Sequence, residues 1–132
     1  MINSCLTYFL VKFHSHNFDL RVFCSRLGLD YNETLRFSTP GTIEIGRNEL
    51  YEDDINIMIR VTLKELFGKE EALLELKARY ELEYYLIRVP LISLYSDEQF
   101  PNLSLDEDIV EFMYKTRTID DLDYFIIDKK KS

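Results

Sequence analysis

At 132 residues, with 46% hydrophobic and 14% aromatic residues and only four glycines and three prolines, the chain suits one folded domain and excludes a disordered segment or a second core. Its 24 acidic and 16 basic side chains leave a formal net charge of -8, which repels phosphate backbones and argues against nucleic acid as a direct ligand. No apolar run approaches the roughly 18 residues of a transmembrane helix, and the first residues lack the basic flank and cleavage site of a signal peptide, so a cytoplasmic protein is expected.

In chain order, CLTYFLVKF (5–13) is rich in β-formers and alternates as a strand. Cys5, Thr7, Phe9, Val11 and Phe13 share one face, and Leu6, Tyr8, Leu10 and Lys12 the other. NFDLRVFCSRLG (17–28) reads as a helix capped by Asn17, with Asp19 in its first turn and Gly28 at its end. Leu20, Phe23, Cys24 and Leu27 form its buried stripe. A loop closed by Pro40-Gly41 leads to a short strand, TIEI (42–45).

Glu52 to Asp54 open a second helix with Ile55, Met58, Ile59, Leu63 and Leu66 on one stripe and Gly68 at its end. KEEALLELKARYEL (69–82) is the third, where Glu71 and Glu75 are spaced for i, i+4 partners including Arg79. EYYLIRVPLISL (83–94) is the second strong strand, ended or bent by Pro90. Ser104, with Glu107 three residues on, forms a capping box for a fourth helix that buries Leu105, Ile109, Phe112, Met113 and Thr116. LDYFII (122–127) closes the domain as a strand, and residues 129–132 are a basic tail.

This order predicts a single α+β domain over residues 1–128. It is a ferredoxin-like βαβ–(αα insertion)–βαβ with a four-stranded, mostly antiparallel sheet packed against helices. The two strong strands belong in the middle. Helices on one face would leave Tyr8, Leu10, Tyr84 and Leu86 needing cover on the other.

The segments NFDLRVFCSRLGL, GKEEALLELKARYELEYYLIRVPLI, LSLDEDIVEFMYKT and IDDLDYFI resemble a family of small bacterial proteins catalogued as domain of unknown function 4279. The resemblance covers nearly the whole chain in element order and apolar pattern. It implies a bacterial, cytosolic, single-domain protein and supplies no agreed activity and no catalytic residues.

Candidate chemistry is sparse. His14 and His16 lie on one side of an extended segment and are the best metal-ligand pair, but zinc needs three or four ligands, and no further His or C-x-x-C is present. Two polar loop histidines are therefore the stronger reading, and no cofactor or metal is expected. Cys5 and Cys24 read as buried free thiols. No nucleophile elbow or phosphate-cradling glycine motif occurs.

The carboxylates have local reasons for their positions. Asp106 and Glu107 sit in the first turn of the fourth helix, where the helix dipole favours them. Asp108 is turned about 100° further around the axis, so the three fan out and do not converge on a metal. Asp120 and Asp121 precede the last strand, and Asp97 and Glu98 lie in the loop YSDEQFPN beside Tyr95. Together Asp97, Glu98, Asp106, Glu107, Asp120, Asp121 and Tyr95 outline an acidic end suited to a basic protein partner.

The leading expectation is a non-enzymatic protein-interaction module, such as an immunity-type protein that masks a toxin. A metal- or small-molecule-binding domain or small enzyme is the alternative. A homodimeric scaffold joined through an apolar sheet face is the third reading.

Overall fold

The alternation read in residues 5–13 belongs to the central strand of a mixed sheet. In the computed structural model, which describes residues 2–31, 35–36, 39–50, 54–95 and 101–129, β1 (Ile2–Lys12) lies between β3 (Thr42–Leu50) and β4 (Glu83–Tyr95), antiparallel to both. The two-residue β2 (Leu35–Arg36) extends the β3 side. On the other side, β5 (Ile119–Leu122) and β6 (Phe125–Lys129) run parallel to successive halves of β4. The sheet order is β2-β3-β1-β4-β5, with β6 also beside β4.

Among the described residues six strands therefore stand where the sequence predicts four. One addition, β2, falls in the expected loop; the other arises because the expected last strand is two pieces. Pro90 explains the division. Asp123 N–H donates to Arg88 O at 3.0 Å, so even-numbered residues of β4 turn their backbone groups toward β5 and β6. Pro90 has no N–H to offer there, and the ladder lapses between Arg88↔Leu122 and Leu91↔Phe125. The proline neither ends nor displaces β4; its effect appears in the neighbouring strand.

Among the described residues four helices pack on one face: α1 (Leu20–Leu27), α2 (Ile55–Leu63), α3 (Glu70–Tyr80) and α4 (Glu107–Thr116). Their stripes meet Cys5, Phe9 and Val11 of β1, Ile43 and Ile45 of β3, and Tyr84 and Leu86 of β4, all buried. Phe9 lies at the centre, 5.2 Å from the ring of Tyr84 and 6.3 Å from that of Phe112. The Tyr84 hydroxyl donates to Leu73 O at 2.6 Å, which ties α3 to the sheet. Tyr84 and Leu86 are thus core residues. Their neighbours Tyr85 and Ile87 take the opposite face, because the even positions of β4 oppose the odd positions of β1: Leu86 pairs with Phe9 and Tyr84 with Val11.

Helix starts also differ in detail. Asp19, not Asn17, caps α1, with Oδ1 accepting from Arg21 N and Val22 N. The predicted box at Ser104 does not form. Its hydroxyl meets Asn102 instead, α4 begins after Asp106, and Asp106 N–H donates to Asn56 Oδ1. Glu75 reaches across to Arg26 of α1 at 2.6 Å, so the helix spacing of α3 is used between helices. Gly28 ends α1 in the left-handed region, as predicted.

Candidate functional site

With all four helices on one side, the other side of the sheet has no helix over it among the described residues. Leu6, Tyr8 and Leu10 of β1 present there, opposite Val89, Ile87 and Tyr85 of β4. The pairings Tyr85↔Ile119, Leu91↔Phe125 and Ser93↔Ile127 carry the same face across β5 and β6. Its central apolar side chains are largely half-buried, whereas Ile119, Phe125 and Ile127 at its margin are 52%, 58% and 41% exposed.

A bulge shapes one end of this face. Between Thr7↔Asn48 and Phe9↔Ile45, β3 holds one residue more than β1, and Gly46 there adopts φ 67°. The bulge turns Arg47 onto the open face, with its guanidinium 5.1 Å from the centre of the Tyr8 ring. Arg47 also pairs with Glu44, a carboxylate only 1% exposed, which would otherwise be an uncompensated buried charge. Burial is the main reason that the Tyr8 hydroxyl is pushed up, with the Glu44 charge adding to it.

At the opposite end, Glu83 accepts from the Tyr85 hydroxyl at 3.0 Å and lies 2.8 Å from His14 Nε2. The His14 hydrogen bond is the first cause of the lowered Glu83 pKa, followed by the Tyr85 hydroxyl. His14 is therefore committed to one carboxylate, and His16 is exposed. Among the described residues no group of three or more His, Cys, Asp and Glu side chains is placed to hold a metal.

The predicted acidic residues scatter. Asp106 and Asp108 converge on Arg60 of α2, at 2.6 Å and 2.9 Å from its Nη2. Asp120 grips the buried Arg88 through two bonds, Nε–Oδ1 at 2.8 Å and Nη2–Oδ2 at 2.6 Å, and Arg88 also donates to Leu103 O. Glu107 is exposed in the first turn of α4. Asp121 alone of the described members of the set joins the open sheet face, opposite Ile87. Tyr95 ends β4, but its side chain, like Asp97 and Glu98, lies outside the described residues. Nothing local in the sequence marks Arg60 or Arg88, because their carboxylate partners lie 32 to 48 positions away.

A cleft of about 760 Å³ opens on the helix side, lined by Leu74, Leu105, Val110, Met113, Tyr114, Lys115, Arg117 and Thr118. Its described lining includes no carboxylate, histidine or cysteine. Cys5 and Cys24 are buried free thiols. Burial pushes Cys5 up to about 11 and raises Cys24 as well, so neither is held as a reactive thiolate. A thiol reagent at pH 8 is expected to label neither cysteine in the folded protein and both in denaturant. The raised Cys5 pKa has a sign: its contribution to stability is intact below the ordinary thiol value of 9.0 and is lost as pH rises toward about 11.

No protein-family model, curated protein or solved structure matches the chain. Among the described residues no helix is long and apolar enough to cross a membrane.

Proposed function

We propose that the chain is a non-enzymatic protein-interaction module whose open sheet face receives a partner protein with an apolar centre ringed by lysine and arginine. The observation that supports this reading is the one-sided sheet. Four helices cover one face, and the other keeps an apolar field centred on Tyr8, Tyr85 and Ile87. Tyrosines at the centre of such a field supply large contact area at small cost in side-chain entropy.

Charge selects the partner. Glu49, Glu83 and Asp121 register on this face against Lys12, while the buried Glu44 and Arg47 neutralise one another, and the whole chain carries -8. A basic surface is attracted and an acidic one repelled. Of the predicted acidic end, Asp121 serves this face directly, while the internal pairing of Asp106 and Asp120 reduces their share. Masking of a basic toxin by an immunity-type protein is the form this takes in the bacterial cytosol that the resemblance to domain of unknown function 4279 implies. The ferredoxin-like description belongs to the same reading, with helices on one side of a mostly antiparallel sheet and a working surface on the other.

A photo-crosslinking amino acid placed at Tyr85 tests it, with the same probe at Tyr114 on the helix side, 83% exposed, as control. In cells of the source organism, the Tyr85 probe is expected to give one discrete adduct with a basic protein, and the Tyr114 probe none. Adducts of equal yield from both positions, or no adduct at Tyr85, would count against the proposal.

A further inference from the structure

The margin formed by β5 and β6 carries a separate message. Both strands pair only with β4 among the described residues, so the outer backbone edge of each is open. Five large apolar side chains crowd this edge: Ile119, Tyr124, Phe125, Ile126 and Ile127 are all 41–58% exposed. Edge strands in monomers are ordinarily blunted by charge, proline or brevity, yet β6 opens with the uncharged run Phe125, Ile126, Ile127 before Asp128 and Lys129.

The sequence leading into the run is acidic, and the sequence after it is basic apart from one aspartate. Asp120, Asp121 and Asp123 precede the run, Asp128 and Lys129 close the strand, and two further lysines follow. Such a strand is self-complementary when a second copy runs antiparallel to it. Pairing about Ile126 sets Phe125 opposite Ile127 on the open face and Ile126 opposite its own counterpart on the other; by position Tyr124 then falls opposite Asp128, and Asp123 opposite Lys129, each twice. A parallel arrangement would instead bring aspartates together and lysines together.

We infer that β6 is the homodimerisation edge of this protein, joining two copies through an antiparallel β6–β6 pair into one continuous twelve-stranded sheet. The interface is isologous, as a two-fold dimer requires. The surface involved is the edge and not the face assigned to a partner above, so either can fail without the other. Dimerisation would also set two open faces side by side.

Light scattering after size-exclusion of the full chain tests it, with folding of each variant checked by circular dichroism. The native chain is expected to run as a dimer that dissociates on dilution. Asp123→Lys and Lys129→Asp should each weaken dimerisation at least tenfold by setting like charges opposite, and Ile126→Glu should give monomer. Mixing Asp123→Lys with Lys129→Asp protein should restore dimers, because the heterodimer regains opposite charges at both contacts. A native chain that stays monomeric at several hundred micromolar would overturn the inference. So would a dimer indifferent to these substitutions, or single variants that fail to rescue one another on mixing.

Discussion

Gly46→Ala is expected to destabilise the fold by about 3 kcal/mol or more, the largest effect of an alanine at any of the four glycines. Two independent costs meet at that position. Gly46 holds φ 67°, a left-handed conformation that costs an L-residue about 1 kcal/mol or more. A β-carbon there would also stand 2.1 Å from Thr62 O and 2.9 Å from the Thr62 carbonyl carbon. Those are backbone atoms of α2, so no side-chain rotation relieves the clash. The helix must lift from the sheet, and lifting it breaks the 2.6 Å hydrogen bond between Thr7 and Thr62. Gly68→Ala is the control, because Gly68 has φ 85° but nothing within 4 Å of the added carbon. Urea unfolding followed by circular dichroism should show a loss at Gly46 at least twice that at Gly68. Equal losses would assign the whole effect to backbone strain and none to the approach of α2.

Asp120→Ala is expected to cost about 3 kcal/mol, because it leaves a buried guanidinium without its carboxylate and, among the described residues, with the Leu103 carbonyl as its side-chain partner. Arg88 is 3% exposed as a residue, in a central strand, and it holds three things together: β4, β5 through Asp120, and the segment before α4 through Leu103 O. Removing both charges is a different experiment. Arg88→Met with Asp120→Leu should recover most of the loss, since neither charge then remains to be desolvated. Chemical denaturation of the two single variants and the double closes the cycle. A double variant as unstable as the sum of the singles would show that the pair does not act as a unit.

Much of the fold was legible because it is written in local patterns. The alternation of Cys5, Thr7, Phe9 and Val11 and the stripe Ile55, Met58, Ile59, Leu63, Leu66 both point into the core. What failed was local choice among near-equivalents. Asn17 and Asp19 both qualify as caps, and only the position where the chain turns decides between them. β4 is apolar on both faces, so its alternation could not say whether Tyr84 or Tyr85 is interior; its register with β1 does. The effect of Pro90 was misplaced because a missing N–H acts on the strand beside it.

The candidate site was less legible than the fold. The acidic residues stood out in the sequence by clustering, yet Asp106, Asp108 and Asp120 turn toward arginines far along the chain. Long-range ion pairs leave no periodic trace. The open face was foreshadowed by Tyr8 and Leu10, apolar residues on the side of β1 that the helices do not cover. The bulge at Gly46, which brings Arg47 over Tyr8, had no signal beyond a glycine inside a strand.

Whether the open sheet face binds a basic protein is measured most directly as affinity for the crosslinked partner, purified and titrated by calorimetry. Tyr8→Ala and Tyr85→Ala should each weaken binding tenfold or more, as anchors at an interface centre do, and Tyr114→Ala should leave it unchanged. Affinity should also fall as salt is raised. Binding that is insensitive to both tyrosines, or that weakens equally with Tyr114→Ala, would contradict the account.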